Sequence, residues 1–153
     1  MKIDERYRQF TTAVMGIAYS LQRIRGAALT DYQLSAQHIN SIFYLDRFPE
    51  GLTPGEITRL SMEDKSSVSR SLNQLRERGF IKGTGQEGHK YKIRYVLTEK
   101  GKEAAVVLQE KIREAVEAGG STLSAEERTI FYNALEGVNE NLRQYTAALI
   151  SGN

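Results

Sequence analysis

The sequence predicts a mainly α-helical chain that contains one small β-hairpin. Apolar residues recur at steps of three and four over most of the 153 residues, which is the spacing of a helical face. Capping signatures mark the points where separate helices begin. Residues 90–97 instead alternate between apolar and mostly basic side chains, the period of a half-buried strand.

A long first helix is predicted over residues 3–29. Its apolar side chains share one face: Phe10, Val14, Ile17, Leu21 and Ile24. A second helix is expected from about Ser35, as N-cap, to Arg47, where Phe48 and Pro49 begin a turn.

Two short helices follow, joined by a tight turn. Thr53 as N-cap, Pro54 at the first helical position and Glu56 two residues later form a predicted capping box. Asp64 is expected to cap the next helix, which ends at Gly79. This arrangement predicts a helix-turn-helix unit.

A β-hairpin is predicted directly after this unit. Residues 80–82 form its first strand, glycines at 83, 85 and 88 mark a loop, and residues 90–97 form its second strand. Thr98 is then expected to cap a helix to about Ala118. Ser124 and Glu127 form a capping box for a last helix to about Leu149. A hairpin in this position is the wing of a winged helix-turn-helix.

The charge is unevenly distributed along the chain. Residues 64–102 carry ten Lys or Arg against four acids, whereas residues 1–63 are balanced at seven each and residues 103–153 carry four bases and eight acids. A basic middle segment between neutral and acidic segments is typical of a module that binds a polyanion.

The helix after Asp64 carries the predicted DNA contacts. Val68, Leu72 and Leu75 fall on one side and are expected to face the core. The remaining surface suits a major groove, because small hydroxyl residues allow close approach, while Arg and Asn read base edges. The predicted contacts are Lys65, Ser66, Ser67, Ser69, Arg70 and Asn73, with Arg70 and Asn73 reading bases, and in the wing Lys90, Lys92 and Arg94.

Composition argues against several other classes of protein. With no cysteine, disulfides and thiolate metal sites are excluded. We expect no enzyme, no cofactor and no metal site, since only His38 and His89 offer imidazoles and they lie far apart in the chain. No apolar run approaches the length of a membrane span and no signal-peptide pattern opens the chain, so a cytoplasmic protein is expected.

Residues 53–101 resemble the multiple antibiotic resistance regulator (MarR) family. The resemblance is carried by four pieces in a characteristic order and spacing: Thr53-Pro54-Gly55-Glu56-Ile57, Asp64-Lys65-Ser66-Ser67-Val68-Ser69-Arg70, Leu75-Arg76-Glu77-Arg78-Gly79-Phe80-Ile81 and Leu97-Thr98-Glu99-Lys100-Gly101. The layout of one long helix before this region and two after it is also similar.

The resemblance implies a single domain over residues 1–153, with dimerisation helices at 1–30 and 99–149 and a winged helix-turn-helix at 35–98. It further implies a homodimer that binds double-stranded DNA at a pseudo-palindromic operator, most often to repress transcription. A small aromatic effector is expected between the dimerisation helices and the winged helix. The residues expected to line that site are Tyr19, Arg23, Tyr32, His38 and Tyr44.

The wing departs from the family pattern at one place. Where members often have an Asp-Arg-Arg-like run, this sequence has His89-Lys90-Tyr91. Lys90 can supply a point charge but lacks the planar fork of arginine, so Lys92 or Arg94 is the alternative for the minor-groove contact.

Two other functions fit the same residues. A winged helix can present a basic face to an acidic protein partner, and an architectural protein can bind DNA with little sequence preference. Sequence-specific competition separates both from an operator-binding regulator.

Overall fold

A computed structural model describes residues 2–84 and 93–151. The chain folds into six α-helices and a two-stranded antiparallel sheet within these ranges, so the predicted fold class is confirmed. The elements in order are α1 (Ile3–Ala28), a 3-10 turn (Thr30–Tyr32), α2 (Ala36–Arg47), α3 (Pro54–Ser61), α4 (Lys65–Glu77), β1 (Ile81–Thr84), β2 (Arg94–Leu97), α5 (Glu99–Gly119) and α6 (Ala125–Ser151).

The helices begin where the capping residues predict. At α3, the Glu56 amide donates to the Thr53 hydroxyl while the Glu56 carboxylate accepts from the Thr53 amide. Ser124 and Glu127 make the same reciprocal pair at α6. Each pair satisfies amide groups that the first turn of a helix leaves without partners.

The hydrophobic core lies among α2, α3, α4, the hairpin and the first half of α5. The predicted inward residues of α4, Val68, Leu72 and Leu75, are all buried. Phe80 and Leu108 bring the start of β1 and the helix α5 into the same core. This packing holds the two helices of the helix-turn-helix against the wing.

The described part of the hairpin pairs four residues of each strand, and its buried face fixes the register. β1 and β2 pair antiparallel with Ile81 opposite Leu97 and Thr84 opposite Arg94. Leu52 adds a one-residue bridge to Tyr95, whose amide donates to the Leu52 carbonyl over 2.8 Å. The second strand was predicted over residues 90–97, but the described part spans only Arg94–Leu97. Residues 90–92 lie outside the described ranges.

Two compact units are distinguished, Met1–Ala115 and Val116–Asn153. In the described chain, neither α1 in the first unit nor α6 in the second has a buried side chain. The single domain over residues 1–153 and its subdivision into dimerisation helices stay predictions. Among the described residues, no helix is both long enough and apolar enough to cross a membrane.

Candidate nucleic-acid interface

The helix α4 presents one polar face to solvent. Its N-cap is Asp64, whose carboxylate accepts a hydrogen bond from the Ser67 amide over 2.8 Å. The buried side chains lie on the opposite side of the helix. The exposed face is formed by Lys65, Ser66, Ser69, Arg70 and Asn73, with Ser67 half-buried beside it. The structure therefore brings together all six residues predicted for this helix.

Hydrogen bonds already organise the first turn of α4. Ser66 donates its hydroxyl proton to Asp64, and the Ser67 hydroxyl accepts from Nη2 of Arg70 over 3.4 Å. The hydrogen bonds from Ser66 and Ser67 hold the pKa of Asp64 well below its usual range. The cap is therefore an ionised carboxylate that orders the first turn of α4.

Polar contacts to α2 and to the 3-10 turn fix the orientation of α4. The hydroxyls of Ser41 and Ser71 lie 3.3 Å apart between the two helices, and both side chains are buried. At the C-cap, Arg78 donates to the carbonyls of Tyr32 and Gln33. These contacts hold the middle and the C-terminal end of α4, so its outer face is presented in one orientation.

The predicted wing contacts are only partly within the described residues. Lys90 and Lys92 lie outside them. Arg94 lies on β2, where Nε and Nη2 both donate to the Gly51 carbonyl, at 3.1 and 2.7 Å. Its Nη2 is also 3.3 Å from the Glu56 carboxylate. Arg94 therefore links the base of the wing to the start of α3.

The residues predicted for an effector site are dispersed in the structure. Tyr19 and Arg23 are exposed on α1 and joined by a 3.2 Å hydrogen bond. Tyr32 packs edge-on against Phe80, with ring centroids 6.1 Å apart. Tyr44 and the buried His38 lie on α2, where Tyr44 packs against the core.

A different set of residues lines a cleft of 630 Å³ between α1, the start of α2 and the turn before α4. They are Ala18, Leu21, Gln22, Arg25, Ser35, Ala36, Gln37, Asn40 and Glu63. Nη1 of Arg25 donates to Oδ1 of Asn40, and Nδ2 of Asn40 donates to Glu63 over 3.1 Å. Glu63 directly precedes the cap of α4. The sequence carries no local signal for this chain of contacts, because it joins three elements that are distant in sequence.

The described residues contain no group of three or more His, Asp or Glu side chains placed to hold a metal ion.

The segment that contains this interface matches a model of a known protein family. A model of the MarR family matches residues 32–90, which include α2, α3, α4 and β1. Residues 32–90 of this chain are similar to the MarR family. The resemblance predicted from residues 53–101 is thereby confirmed. A comparison with curated protein sequences finds no match.

Solved MarR proteins share the fold over most of the chain. A MarR protein from Peptoclostridium difficile DA00132 is similar with a TM-score of 0.79 and 15% identity, covering 89% of this chain and 88% of that one. A MarR family transcriptional regulator from Listeria monocytogenes, complexed with 26mer DNA, has a TM-score of 0.77 and 20% identity, with 94% and 95% covered. Staphylococcus aureus MarR in complex with salicylate and kanamycin has a TM-score of 0.77 and 17% identity, with 92% and 94% covered. The MarR fold therefore extends beyond the matched segment.

Proposed function

We propose that this chain is a homodimeric transcription regulator that binds double-stranded DNA at a pseudo-palindromic operator and represses transcription. The observation that carries the proposal is the face of α4, where hydroxyl, amide and ammonium groups lie beside the guanidinium of Arg70 while the opposite side is buried in the core. The DNA complex of the Listeria monocytogenes relative supports it. The regulator would act in the cytoplasm and would need neither catalysis nor a cofactor.

Different side chains on α4 would make different kinds of contact with DNA. Arg70 can donate two parallel hydrogen bonds to guanine, and Asn73 can pair with adenine through one donor and one acceptor. Both are exposed on α4. Lys65 and the hydroxyls of residues 66, 67 and 69 would position the helix on phosphates or bases at the edge of the groove.

The wing would extend this contact to the neighbouring groove. Lys90 and Lys92 are the proposed phosphate or minor-groove contacts. Arg94 is the third, although two of its guanidinium nitrogens are already engaged by the carbonyl of Gly51. Each phosphate that a basic side chain neutralises releases counterions, so binding would weaken steeply with salt.

Exposed apolar side chains on the two terminal helices support the homodimer. Phe10 and Ile17 on α1 are 41% and 52% exposed, and Phe131 and Leu142 on α6 are 41% and 50% exposed. A monomeric protein seldom leaves so many large apolar side chains in water. A second copy of the chain would cover them and place two α4 helices for the two halves of an operator.

The cleft beside α2 is the proposed site of a small aromatic acid that releases the DNA. Arg25 could pair with the carboxylate of such a ligand, and it is linked through Asn40 to Glu63 before α4. The salicylate complex of the Staphylococcus aureus relative supports a ligand of this kind. Tyr19, Arg23, Tyr32, His38 and Tyr44 stay predictions for this role.

The decisive experiment is fluorescence anisotropy with labelled DNA from upstream of the coding region. Scrambled DNA serves as competitor, at about 50 and about 200 mM salt. An operator-specific regulator keeps its labelled DNA in the presence of scrambled competitor. Arg70→Ala should weaken operator binding by about 1–3 kcal/mol and relax specificity, because it removes a contact to base edges.

The matched control is Arg113→Ala, which removes an exposed arginine from α5 and should leave operator binding unchanged. If unlabelled operator and scrambled DNA displace the labelled DNA equally well, the chain is an architectural DNA-binding protein instead. Failure to bind DNA at low salt would refute the proposal and favour an acidic protein partner.

A further inference from the structure

The imidazole of His38 joins the start of α2 to the exposed side of α4. His38 is buried, with 7% of its surface exposed, and both ring nitrogens have partners. Nδ1 lies 3.0 Å from the backbone nitrogen of Ser35 and Nε2 lies 2.7 Å from Oε1 of Gln74. Ser35 and His38 thereby form a capping box in which histidine takes the place of the usual Glu or Gln.

These contacts fix which nitrogen of His38 carries the proton. A backbone N–H can only donate, so Nδ1 of His38 must accept from Ser35. The neutral imidazole then carries its proton on Nε2, which donates to Gln74. The atom of Gln74 that faces His38 is therefore its carbonyl oxygen.

The orientation of the Gln74 amide follows from this proton. Its oxygen is held on the α2 side by His38, and Nε2 of Gln37 approaches the same oxygen to 3.5 Å. Within residues 2–84 and 93–151, the Gln74 amide nitrogen donates to no protein acceptor, and the side chain is exposed. Gln74 thus offers a donor, and not an acceptor, to a ligand of α4.

We propose that Gln74 donates a hydrogen bond to a backbone phosphate of the bound DNA, with His38 as the positioning residue that holds its amide. The proposal rests on the DNA-binding function proposed above. An amide whose oxygen is already engaged cannot form the paired donor and acceptor contact with adenine. A phosphate oxygen, by contrast, only accepts.

The place of Gln74 on α4 favours phosphate over base. In helix-turn-helix proteins, base edges are contacted by the N-terminal residues of the recognition helix. Gln74 begins the last turn of α4, beyond Arg70 and Asn73, and lies on the flank that faces α2. A residue in the last turn therefore lies beyond the part of the helix that contacts base edges, where the backbone phosphates are the expected partners.

The first test is Gln74→Ala, compared with Gln144→Ala on α6 as the matched control, by anisotropy on operator and scrambled DNA. Loss of one hydrogen bond from a neutral amide to a charged phosphate should weaken binding by about ten- to a hundredfold. Because the partner is a phosphate, the same factor should appear on both DNAs. Because the donor is uncharged, the salt dependence should not change. Unchanged affinity, or a loss confined to the operator, would overturn the phosphate contact.

The second test is a double-mutant cycle that pairs His38→Met with Gln74→Ala. If His38 acts through Gln74, then His38→Met should weaken DNA binding in the natural background but not in the Gln74→Ala background. Additive losses would show that His38 does not act through Gln74. Gln74→Ala alone still tests the contact if His38→Met unfolds the protein, because Gln74 is exposed.

Arg70→Ala separates this inference from the proposed function. If Arg70→Ala weakens operator binding and Gln74→Ala does not, only the inference about Gln74 is refuted. Absence of DNA binding by the natural chain would refute both.

Discussion

Gly101 lies in contact with the backbone of Phe80, so closely that a β-carbon added to Gly101 would stand near the Phe80 carbonyl oxygen and 3.1 Å from its carbonyl carbon. That oxygen accepts hydrogen bonds from the backbone and hydroxyl of Thr98, both within 3.1 Å. The first turn of α5 is thereby seated on the start of β1. The close approach of α5 to β1 at this point leaves no room for a side chain at residue 101.

Gly101→Ala should destabilise the protein by about 2 kcal/mol or more, because the backbone of Phe80 cannot move aside without breaking the contacts of Thr98. Thermal or urea unfolding measures the change. Gly55→Ala is the matched control, since a β-carbon on Gly55 meets nothing within 4 Å. It should be neutral or stabilising, because alanine favours the helix. Similar losses in the two variants would contradict this account.

Arg94→Ala should lower the free energy of unfolding by about 1–2 kcal/mol, because two hydrogen bonds from its charged guanidinium to the Gly51 carbonyl would be lost. Arg94→Lys should recover little of this, since an ammonium lacks the fork that reaches the carbonyl with two nitrogens. Unfolding and anisotropy on the same samples distinguish the two roles of Arg94. Unchanged stability with weaker DNA binding and a shallower salt dependence would identify it as a wing contact only.

The sequence predicted those features that depend on neighbouring residues. Thr53 with Glu56 and Ser124 with Glu127 mark helix starts because capping needs only a few residues in one order. The family resemblance added the role of α4, since the spacing of the motifs reflects how the elements pack. The outward side of α4 followed once Val68 was assigned to the core.

Features that depend on distant contacts could not be predicted. Arg94 has the charge of a DNA contact, but its link to Gly51 appears only when β2 pairs with Leu52, in the segment before α3. His38 was expected near an effector, yet its partner Gln74 lies on another helix. The arginine of the cleft, Arg25, was missed because nothing near it in sequence identifies Asn40 as its partner.

Asp64 should make the free energy of unfolding depend on pH in the acid range. Hydrogen bonds from Ser66 and Ser67 hold its pKa below the ordinary value, so the folded state favours the carboxylate. The contribution is complete above the unfolded pKa of about 4 and is lost as the pH falls towards the lower folded pKa. Unfolding measured between about pH 6 and about pH 3 checks this dependence.

The control for Asp64 is Asp64→Asn, which keeps an N-cap side chain but does not titrate. The stability difference between the natural protein and Asp64→Asn should shrink as the pH falls. Asp64→Ala should be less stable than Asp64→Asn throughout, since it also loses the cap. If the free energy of unfolding falls with pH in parallel for the natural protein and Asp64→Asn, titration of Asp64 is not the cause of the fall.

Leu142→Glu should convert the proposed dimer to monomer. Leu142 is half exposed on α6, so a homodimer that covered its exposed half would lose about 1 kcal/mol of apolar burial at each of two symmetric positions. Asn141→Glu adds the same charge at the adjacent exposed residue and should leave the mass unchanged. Sedimentation velocity at micromolar concentration measures the mass. If the natural chain sediments as a folded monomer, the proposed dimer is refuted. If Asn141→Glu also dissociates the dimer, the added charge and not the lost burial of Leu142 causes the dissociation.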